Sequence, residues 1–355
     1  MLYVSSVLPY AGKSMVALGL GLKFREDGHD VVYMKPLCVN PMVMPSGELV
    51  DEDVQLLADA LEMEEPLPLV CPVIFSADLR NRALQGRVDR EELMRKVEEA
   101  YKALSREGRV VILGGARELS QGRMVGLSDP EIALRLGARI LLVDRFTDDL
   151  HIDSVLAAKE MLGDLLLGVV LNCIPEGREA YAKEMVAPFL ESQGVPVLGV
   201  IPRDPVLASI SVGEIAEALE GEVLCEGEGL DTLVESFLVG AMRVESALRY
   251  FRRAQNAAVV VGGDRADIQL AAIEAGLKAL VLTGNLYPSH TVLIKASERG
   301  VPVILVKEDT YTTVERLDEV MGRARLREPK KRKRAAELVK GCLDLGRIYK
   351  GLGLS

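Results

Sequence analysis

The stretch SSVLPYAGKS, residues 5–14, ends in three residues whose types suit a phosphate group: Gly12, Lys13 and Ser14. A lysine ammonium reaches phosphate oxygens, a serine hydroxyl binds Mg²⁺, and a glycine lets backbone N–H groups approach an anion closely. The usual loop opens with a glycine five residues before the second one, and that position is Val7. A loop one residue longer would open at Ser6, which is also small. We therefore predict a phosphate-binding loop over residues 7–12, the alternative being a chance glycine before a helix.

The elements around this loop have the order that such chemistry requires. Residues 2–6 form a predicted buried strand and residues 13–28 a predicted helix, so Lys13 and Ser14 would lie where free N–H groups face an anion. Across the first two hundred residues, β-rich runs alternate with amphipathic helical runs, which predicts a parallel sheet with crossover helices. The predicted strands cover residues 2–6, 30–37, 109–114, 139–144, 166–172 and 195–202.

The pattern changes after residue 203, where two prolines and a glycine-rich acidic stretch indicate a domain boundary. A second β/α series follows, with predicted strands at 257–263, 278–284 and 301–306. We therefore predict a nucleotide-binding domain over 1–204, a smaller α/β domain over 205–325 and a basic amphipathic helical tail over 326–355.

The composition excludes several classes of protein. The 355 residues are 49% hydrophobic and 27% charged, as in a folded globular chain, and the net charge of −10 disfavours a nucleic-acid or anionic-membrane partner. The short basic run KKRKR, residues 330–334, is interpreted as a solvated helix start and not as a nucleic-acid patch.

The cysteines, histidines and N-terminus indicate a cytoplasmic location. Five cysteines have no CxxC spacing, which favours reduced thiols, and three distant histidines do not predict a zinc site. The chain begins directly with a predicted strand, so we expect no signal peptide, and its apolar runs are shorter than a membrane span needs.

The long form of the phosphate loop resembles that of dethiobiotin synthetase and its relatives among amide-forming and cobyrinic-acid-type ligases. Four further stretches are similar to elements of that family: YMKPL (33–37), VDEDV (50–54), GVVLNCIP (168–175) and GVIPRDP (199–205). Taken singly, a Lys-Pro pair is commonly a turn and a strand-end Asn commonly a cap, but these stretches follow one another in the family's order. The resemblance implies a P-loop NTPase-like parallel-sheet domain that binds ATP, or a related nucleotide, with Mg²⁺.

The resemblance also implies roles for individual residues. Lys13 and Lys35 would be the catalytic residues beside the transferred phosphoryl group, and Ser14, Asp51 and Asp53 would hold the metal. The implied nucleotide-binding residues are Ser6, Gly12, Lys13, Ser14, Asn172, which would read the base, and Pro202, beside the adenine pocket.

One position departs from the family. Its third strand ends in a Val-x-x-Glu-Gly pattern whose glutamate binds Mg²⁺, and Leu113 stands at that position here. Glu118, five residues later, could substitute for it only from a loop. Because losing a metal carboxylate removes charge neutralisation from phosphoryl transfer, we expect binding to survive better than catalysis.

The second part resembles the DRTGG domain, which implies a smaller Rossmann-like α/β fold. The resemblance depends on GGDRADIQLAAIEAG (262–276), LTGN (282–285) and VPVILVKEDTYTTV (301–314). The motif residues are Asp264, Arg265, Thr283, Gly284 and Asn285, the last in place of a glycine. Such polar turns would lie at the carboxyl ends of parallel strands, where ligands bind, although Asp264 and Arg265 could instead pair to hold a turn.

The two domains in this order resemble the N-terminal part of long phosphotransacetylases and also stand-alone proteins of about this length. No residues remain for an acetyl-transferring domain, so phosphotransacetylase activity is not expected. The preferred hypothesis is a nucleotide-binding regulatory or sensor protein, with weak or no hydrolysis, that forms a homo-oligomer or acts beside a partner enzyme. Whether the chain is an enzyme stays open, because an ATP-dependent ligase that phosphorylates a carboxylate, and a structural module without nucleotide binding, are the alternatives.

Overall fold

The computed structural model describes residues 1–39, 41–43, 49–254, 256–321, 326 and 328–354. The chain divides into two units, Met1–Arg203 together with Leu326–Ser355, and Asp204–Arg325. The C-terminal segment, predicted as a separate tail, is thus part of the first unit.

The first unit is built on a parallel sheet of six strands in the order β10-β9-β8-β1-β7-β2. Apart from the edge strand β10, these strands are buried along nearly their whole length, which explains their apolar runs. The parallel sheet confirms the predicted α/β fold of the P-loop type. Two short two-stranded pairs, β3 with β6 and β4 with β5, lie outside this sheet. The strands are β1 (Leu2–Ser6), β2 (Asp30–Met34), β3 (Leu37–Cys38), β4 (Pro41–Val43), β5 (Leu49–Asp51), β6 (Val73–Ile74), β7 (Arg109–Gly114), β8 (Arg139–Arg145), β9 (Leu166–Ile174) and β10 (Val197–Pro202).

Local sequence signals start the helices of this unit. Asp51, Ser76 and Asp89 each accept a backbone N–H from the first turn of the helix that follows, which satisfies a donor that has no intrahelical partner. The helices are α1 (Lys13–Glu26), α2 (Glu52–Ala60), α3 (Leu67–Val70), α4 (Ala77–Leu84), α5 (Arg90–Leu104), α6 (Asp129–Leu136), α7 (Ile152–Leu162), α8 (Glu179–Tyr181) and α9 (Ala187–Ser192). Three 3-10 turns (Arg123–Val125, Asp149–His151, Gly163–Leu165) and one π-helical turn (Ala182–Val186) complete it.

The second predicted strand is shorter than expected. It ends at Met34, and Leu37–Cys38 leaves the sheet to pair with Val73–Ile74. Pro36 explains the break, because proline has no N–H for a sheet hydrogen bond, and the Lys35 N–H already donates to the Val70 carbonyl at 2.8 Å.

The second unit contains a five-stranded sheet in the order β12-β17-β16-β15-β14, parallel except for the edge strand β12. Three of its strands were predicted, whereas the short edge strands β12 and β14 were not. Its strands are β11 (Ile210–Ser211), β12 (Glu222–Cys225), β13 (Leu233–Val234), β14 (Ser236–Val239), β15 (Ala257–Gly262), β16 (Ala279–Thr283) and β17 (Val303–Leu305). Its helices are α10 (Pro205–Ala208), α11 (Val212–Ala218), α12 (Val244–Phe251), α13 (Ala266–Glu274), α14 (His290–Arg299) and α15 (Thr310–Met321).

The last two helices, α16 (Pro329–Cys342) and α17 (Leu345–Leu352), pack onto the first unit. Val339 of α16 is buried against Gly19 of α1, and the Lys340 ammonium donates to Glu26 at 2.8 Å. Between the two helices, Leu343 pairs with Gly199 along the edge of β10. Lys331 of the basic run is fully buried, so that run is only partly solvated.

Across the described residues, none of the helices combines the length and apolar character needed to cross a lipid bilayer.

Candidate functional site

The predicted phosphate loop connects β1 to α1, and Gly12 fixes its geometry. Gly12 has a φ of +98°, a left-handed conformation that other residues adopt at a cost. A Cβ at this position would lie 2.2 Å from Nδ2 of Asn172. That amide nitrogen donates to the Ala11 carbonyl at 2.8 Å. Gly12 is therefore needed both for its φ and for the close approach of Asn172.

The side chain of Lys13 lies at the start of α1. Its ammonium donates to Ser6 Oγ and to the Arg117 carbonyl, both at 2.8 Å. Both acceptors are neutral. Burial lowers the pKa of Lys13 to about 8, although the negative charge of Asp129 partly opposes this.

A second group of side chains joins α1, α2 and the end of β2. The Lys35 ammonium lies 2.7 Å from Asp51 Oδ1 and 2.6 Å from Asp53 Oδ2. The Ser14 hydroxyl donates to the other oxygen of Asp53 at 2.6 Å. Asp51 also caps α2 by accepting the Asp53 N–H at 3.1 Å. The structure thus brings together four of the predicted site residues, Ser14, Lys35, Asp51 and Asp53.

Charge decides the protonation of this group. Burial alone would lower the pKa of Lys35, but Asp53 and Asp51 outweigh it, and that pKa is raised well above its usual value. Burial would raise the pKa of Asp53, but Lys35 and the Ser14 hydroxyl hold it below its usual value. Burial raises the pKa of Asp51 even though Lys35 opposes it. Lys35 is therefore a cation at neutral pH whose charge is matched above all by the Asp53 carboxylate.

The two residues predicted to contact the base lie near the carboxyl ends of two neighbouring strands, β9 and β10. Asn172 is buried on β9 with its amide on the loop backbone, so in this structure it supports the phosphate loop. Pro202 ends the edge strand β10, three strands from β1, or about 14 Å at ordinary strand spacing.

β7 carries Leu113 at the position where the resemblance implies a metal-binding glutamate. Leu113 is fully buried in the core, paired with Tyr3 of β1 and Met34 of β2. Glu118 is half-buried and accepts the Ser120 hydroxyl at 3.2 Å.

Sequence reasoning missed Asp129, a carboxylate buried beside the loop at the first residue of α6. It accepts the Tyr3 hydroxyl at 3.0 Å, the Ser5 hydroxyl at 2.5 Å and the Ala116 N–H at 3.2 Å. Burial outweighs these bonds and raises its pKa to about 6. The available signal was the pair of hydroxyls at alternate positions of a buried strand, since such groups need a partner.

A His–Asp pair at the end of β8 was also missed. His151 Nδ1 lies 2.7 Å from Asp144 Oδ1, and both side chains are at least nine-tenths buried. The carboxylate raises the pKa of His151, and burial raises the pKa of Asp144.

In the second unit, the motif residues lie at the carboxyl ends of β15 and β16. Arg265 forms its ion pair with Asp267, at 3.0 Å, and not with Asp264, which is exposed. Thr283 shares a hydroxyl hydrogen bond of 2.8 Å with Thr310. Gly284 and Asn285 have φ values of +80° and +56°.

Gly263 lies between these turns, where the Leu286 backbone leaves no room for a side chain. A Cβ there would lie 1.7 Å from the Leu286 carbonyl oxygen. The buried Gln269 amide donates to the carbonyls of Gly262 and Gly263 at 2.9 and 3.1 Å. The turn after β15 therefore requires glycine at position 263 and is held by the Gln269 amide.

Comparison with known proteins divides the chain in the same way. An AAA domain model matches residues 1–211 and a DRTGG domain model matches residues 214–320. A phosphate acetyltransferase of Synechocystis sp. is 25% identical over 336 residues, which cover 89% of this chain and 46% of the relative. The chain thus spans about half the length of the phosphate acetyltransferases it matches and corresponds to their N-terminal region.

Two further matches cover parts of the chain. An ATP-dependent dethiobiotin synthetase BioD of Anaeromyxobacter dehalogenans is 31% identical over 175 residues, covering 48% of this chain and 75% of the relative. A structure of the CBS and DRTGG domains of the regulatory region of Clostridium perfringens pyrophosphatase, complexed with the activator diadenosine tetraphosphate, covers 48% of this chain and 69% of that one, with 19% identity and a TM-score of 0.29.

Proposed function

Because the chain belongs to the family of the AAA domain that matches residues 1–211 and carries a DRTGG domain after it, we propose that it is a regulatory or sensor protein that binds a nucleotide, ATP in the first place, with Mg²⁺. The observation that carries this proposal is the convergence of Lys13, Ser14, Lys35 and Asp53 at the carboxyl edge of the first sheet. Ligands bind at that edge in open parallel sheets.

Lys13 is the residue that would hold the phosphates. Its ammonium donates to a hydroxyl and a carbonyl, so a phosphate could accept a hydrogen bond from it without displacing a carboxylate. The free N–H groups of the first turn of α1 would add donors to the same anion. An anion at this position would also raise the pKa of Lys13 from about 8.

The donor set suits Mg²⁺. A serine hydroxyl and two carboxylates are hard oxygen ligands of the kind that Mg²⁺ prefers, and they come from Ser14, Asp51 and Asp53. Within the described residues, Oδ2 of Asp51 is buried without a hydrogen-bond partner, as expected of an oxygen that awaits a ligand. When bound, Mg²⁺ supplies neutralisation of phosphate charge.

Weak or absent hydrolysis is part of the proposal. An apolar, fully buried Leu113 replaces the family's metal-binding glutamate, and Glu118 is engaged with Ser120. Negative charge develops on the phosphoryl group during hydrolysis and must be neutralised by the site. Hydrolysis therefore depends on the missing carboxylate and its metal ion more strongly than nucleotide binding does.

We assign base contacts to Asn172 and Pro202 as part of the same proposal. Asn172 lies near the carboxyl end of β9 and Pro202 ends β10, on the side of the sheet that leads away from the phosphate loop, where the nucleoside would lie.

The second unit would carry the regulatory ligand or partner. Asp264, Arg265, Thr283, Gly284 and Asn285 stand at a sheet edge of the kind that binds ligands. The side chains of Leu286, Tyr287 and Tyr311 are exposed beyond β16 and β17, and exposed large apolar groups are common at protein interfaces. This exposed group supports a homo-oligomer or a partner enzyme. The test is the mass of Tyr287→Ser measured by light scattering, with Tyr250→Ser as the control.

A ligase is the second candidate, favoured by the 31% identity to a dethiobiotin synthetase. In that reading Lys13 and Lys35 would stabilise the phosphoryl group as it moves to a carboxylate or carbamate.

The test is calorimetric titration of the chain with ATP and Mg²⁺, followed by a phosphate-release assay. Binding should weaken at least tenfold in Lys13→Ala and stay unchanged in Lys23→Ala, whose lysine lies on the same helix but pairs with Asp27. Binding with negligible phosphate release supports the regulatory function. Release stimulated by a carboxylate substrate would establish the ligase, and failure to bind any nucleotide would remove both.

A further inference from the structure

The Lys35 ammonium occupies the point where the acidic side chains of the proposed metal site converge. It lies 2.7 Å from Asp51 and 2.6 Å from Asp53. Lys35 and Asp51 are both almost fully buried, with 5% and 2% of their surface exposed. A buried lysine keeps its charge only if it is paired, and here two carboxylates pair with it.

The oxygens of this site are turned toward that ammonium. Asp53 uses Oδ2 for Lys35 and Oδ1 for the Ser14 hydroxyl. Asp51 uses Oδ1 for Lys35 and for the Asp53 N–H. Of the four carboxylate oxygens of Asp51 and Asp53, Asp51 Oδ2 alone is buried without a hydrogen-bond partner within the described part of the chain. The proposed ligands of a divalent cation are therefore already engaged with a monovalent one.

A metal ion and the ammonium cannot share this position. Mg²⁺ binds oxygens at about 2.0–2.1 Å, inside the distances that the ammonium now keeps from the same carboxylates. Two cations so close together would also repel each other strongly in a partly buried site. The ammonium must leave the carboxylates before a metal can use them.

The two lysines of the site differ in the charge of their partners. Lys13 donates to a hydroxyl and a carbonyl, which are neutral, whereas Lys35 donates to two anions. Lys13 can therefore receive a phosphate without breaking an ion pair. Lys35 can turn to a phosphate only if a cation replaces it at Asp51 and Asp53.

We infer that Lys35 is a built-in cation that fills the divalent-metal position until a nucleotide is bound, so that metal binding depends on nucleotide. The inference rests on the proposed nucleotide-binding function. A bound phosphate offers Lys35 another anion, and the metal then takes the freed carboxylates. Because binding free energies are reciprocal, the nucleotide should strengthen metal binding by the same factor as the metal strengthens nucleotide binding.

The experiment titrates the full chain with Mn²⁺ alone and follows free Mn²⁺ by electron paramagnetic resonance. Lys35→Gln removes the charge and keeps a hydrogen-bond donor. This variant should bind Mn²⁺ at least tenfold more tightly than the wild type without nucleotide. Lys23→Gln is the matched control and should bind no more tightly, since Lys23 lies on the same helix as Ser14 but pairs with Asp27 and not with either carboxylate of the site. Equal affinities of the wild type and Lys35→Gln would overturn the inference.

Folding of the variant provides a second reading. If Lys35→Gln unfolds because its carboxylates repel, circular dichroism should show that Mn²⁺ restores the fold, since the metal replaces the ammonium. If Mn²⁺ does not restore it, the wild type decides: binding of Mn²⁺ in the micromolar range without nucleotide refutes the inference, and binding that appears only with a non-hydrolysable ATP analogue supports it.

The result is distinguishable from failure of the proposed function. Absence of any ATP binding by the wild type would refute nucleotide binding, whatever the Mn²⁺ titration gives. Tight ATP binding with equal Mn²⁺ affinities in the wild type and Lys35→Gln would refute only the role of Lys35.

Discussion

Replacing Gly12 by alanine should destabilise the chain through two separable causes. The first is the left-handed φ of +98°, which costs a non-glycine residue about 1–2 kcal/mol. The second is the contact of the new Cβ with Asn172 Nδ2, at 2.2 Å, which forces that side chain off the buried Ala11 carbonyl. Leaving such a carbonyl unpaired costs about 1–2 kcal/mol more, so we expect a total near 3 kcal/mol.

A double-mutant cycle separates the two causes. Asn172→Ala alone loses the hydrogen bond to Ala11 and should cost about 1–2 kcal/mol. In Gly12→Ala/Asn172→Ala the contact is gone and only the φ cost is added, so the double variant should be about 1.5 kcal/mol more stable than the sum of the single effects. Gly137→Ala isolates the φ cost, because Gly137 has a φ of +70° and nothing lies within 4 Å of its Cβ position.

The assay is urea unfolding, followed by circular dichroism, of the wild type, the two single variants, the double variant and Gly137→Ala. Additivity within about 0.5 kcal/mol would refute the packing of Asn172 against the loop. Asn172→Ala also tests the proposed contact between Asn172 and the nucleotide base. If Asn172 acts only by supporting the loop, Asn172→Ala should weaken the binding of ATP and of GTP by the same factor. Unequal factors would show that Asn172 contacts the base.

Three further outcomes follow from other positions. Burial raises the Asp129 pKa from 3.8 to about 6, so the protonated carboxyl stabilises the fold fully below pH 3.8, and this stabilisation is lost as the pH rises through 6. Relative to Asp129→Asn, the wild type should lose about 2 kcal/mol of unfolding free energy between pH 4.5 and pH 8, and a difference that stays constant with pH would contradict this. Gly19→Ala should destabilise the protein by about 1–3 kcal/mol, because the new Cβ would lie 2.4 Å from Val339, whereas Gly341→Ala, which has nothing within 4 Å of the new Cβ, should stabilise α16 by about 0.5–1 kcal/mol. Midpoints of thermal unfolding that shift in the same direction for both variants would refute the packing of α16 on α1. Asn285 has a φ of +56°, so Asn285→Gly should change the stability by less than about 0.5 kcal/mol, whereas Asn285→Val should cost about 1–2 kcal/mol in the same measurement. Equal effects of the two variants would count against this backbone conformation.

The main elements of both sheets could be predicted because parallel strands buried on both faces are continuous apolar runs. Two strands could not. The segments Glu222–Cys225 and Ser236–Val239 form sheet edges with half-exposed residues, so they lack such a run. The end of β2 was misplaced because an apolar leucine follows Pro36 and suggests a strand that the proline interrupts.

The residue types of the site could be predicted, but not their pairing. Lys35, Asp51 and Asp53 were each expected near the phosphates, while the ion pairs among them depend on how β2 and α2 meet. Asp129 was missed because its partners Tyr3 and Ser5 are more than 120 residues away in sequence. A buried carboxylate at the first turn of a helix is indistinguishable in sequence from an ordinary capping residue.

The packing of α16 and α17 on α1 makes the first unit a discontinuous domain. A fragment that ends at Arg203 would contain every strand of the six-stranded sheet and yet expose the faces of Gly19 and Phe24 that Val339 and Tyr349 cover. Such a fragment should be aggregation-prone, and its nucleotide affinity would say little about the intact chain. Residues 326–355 supplied as a separate peptide should bind it, as the missing part of a split protein does.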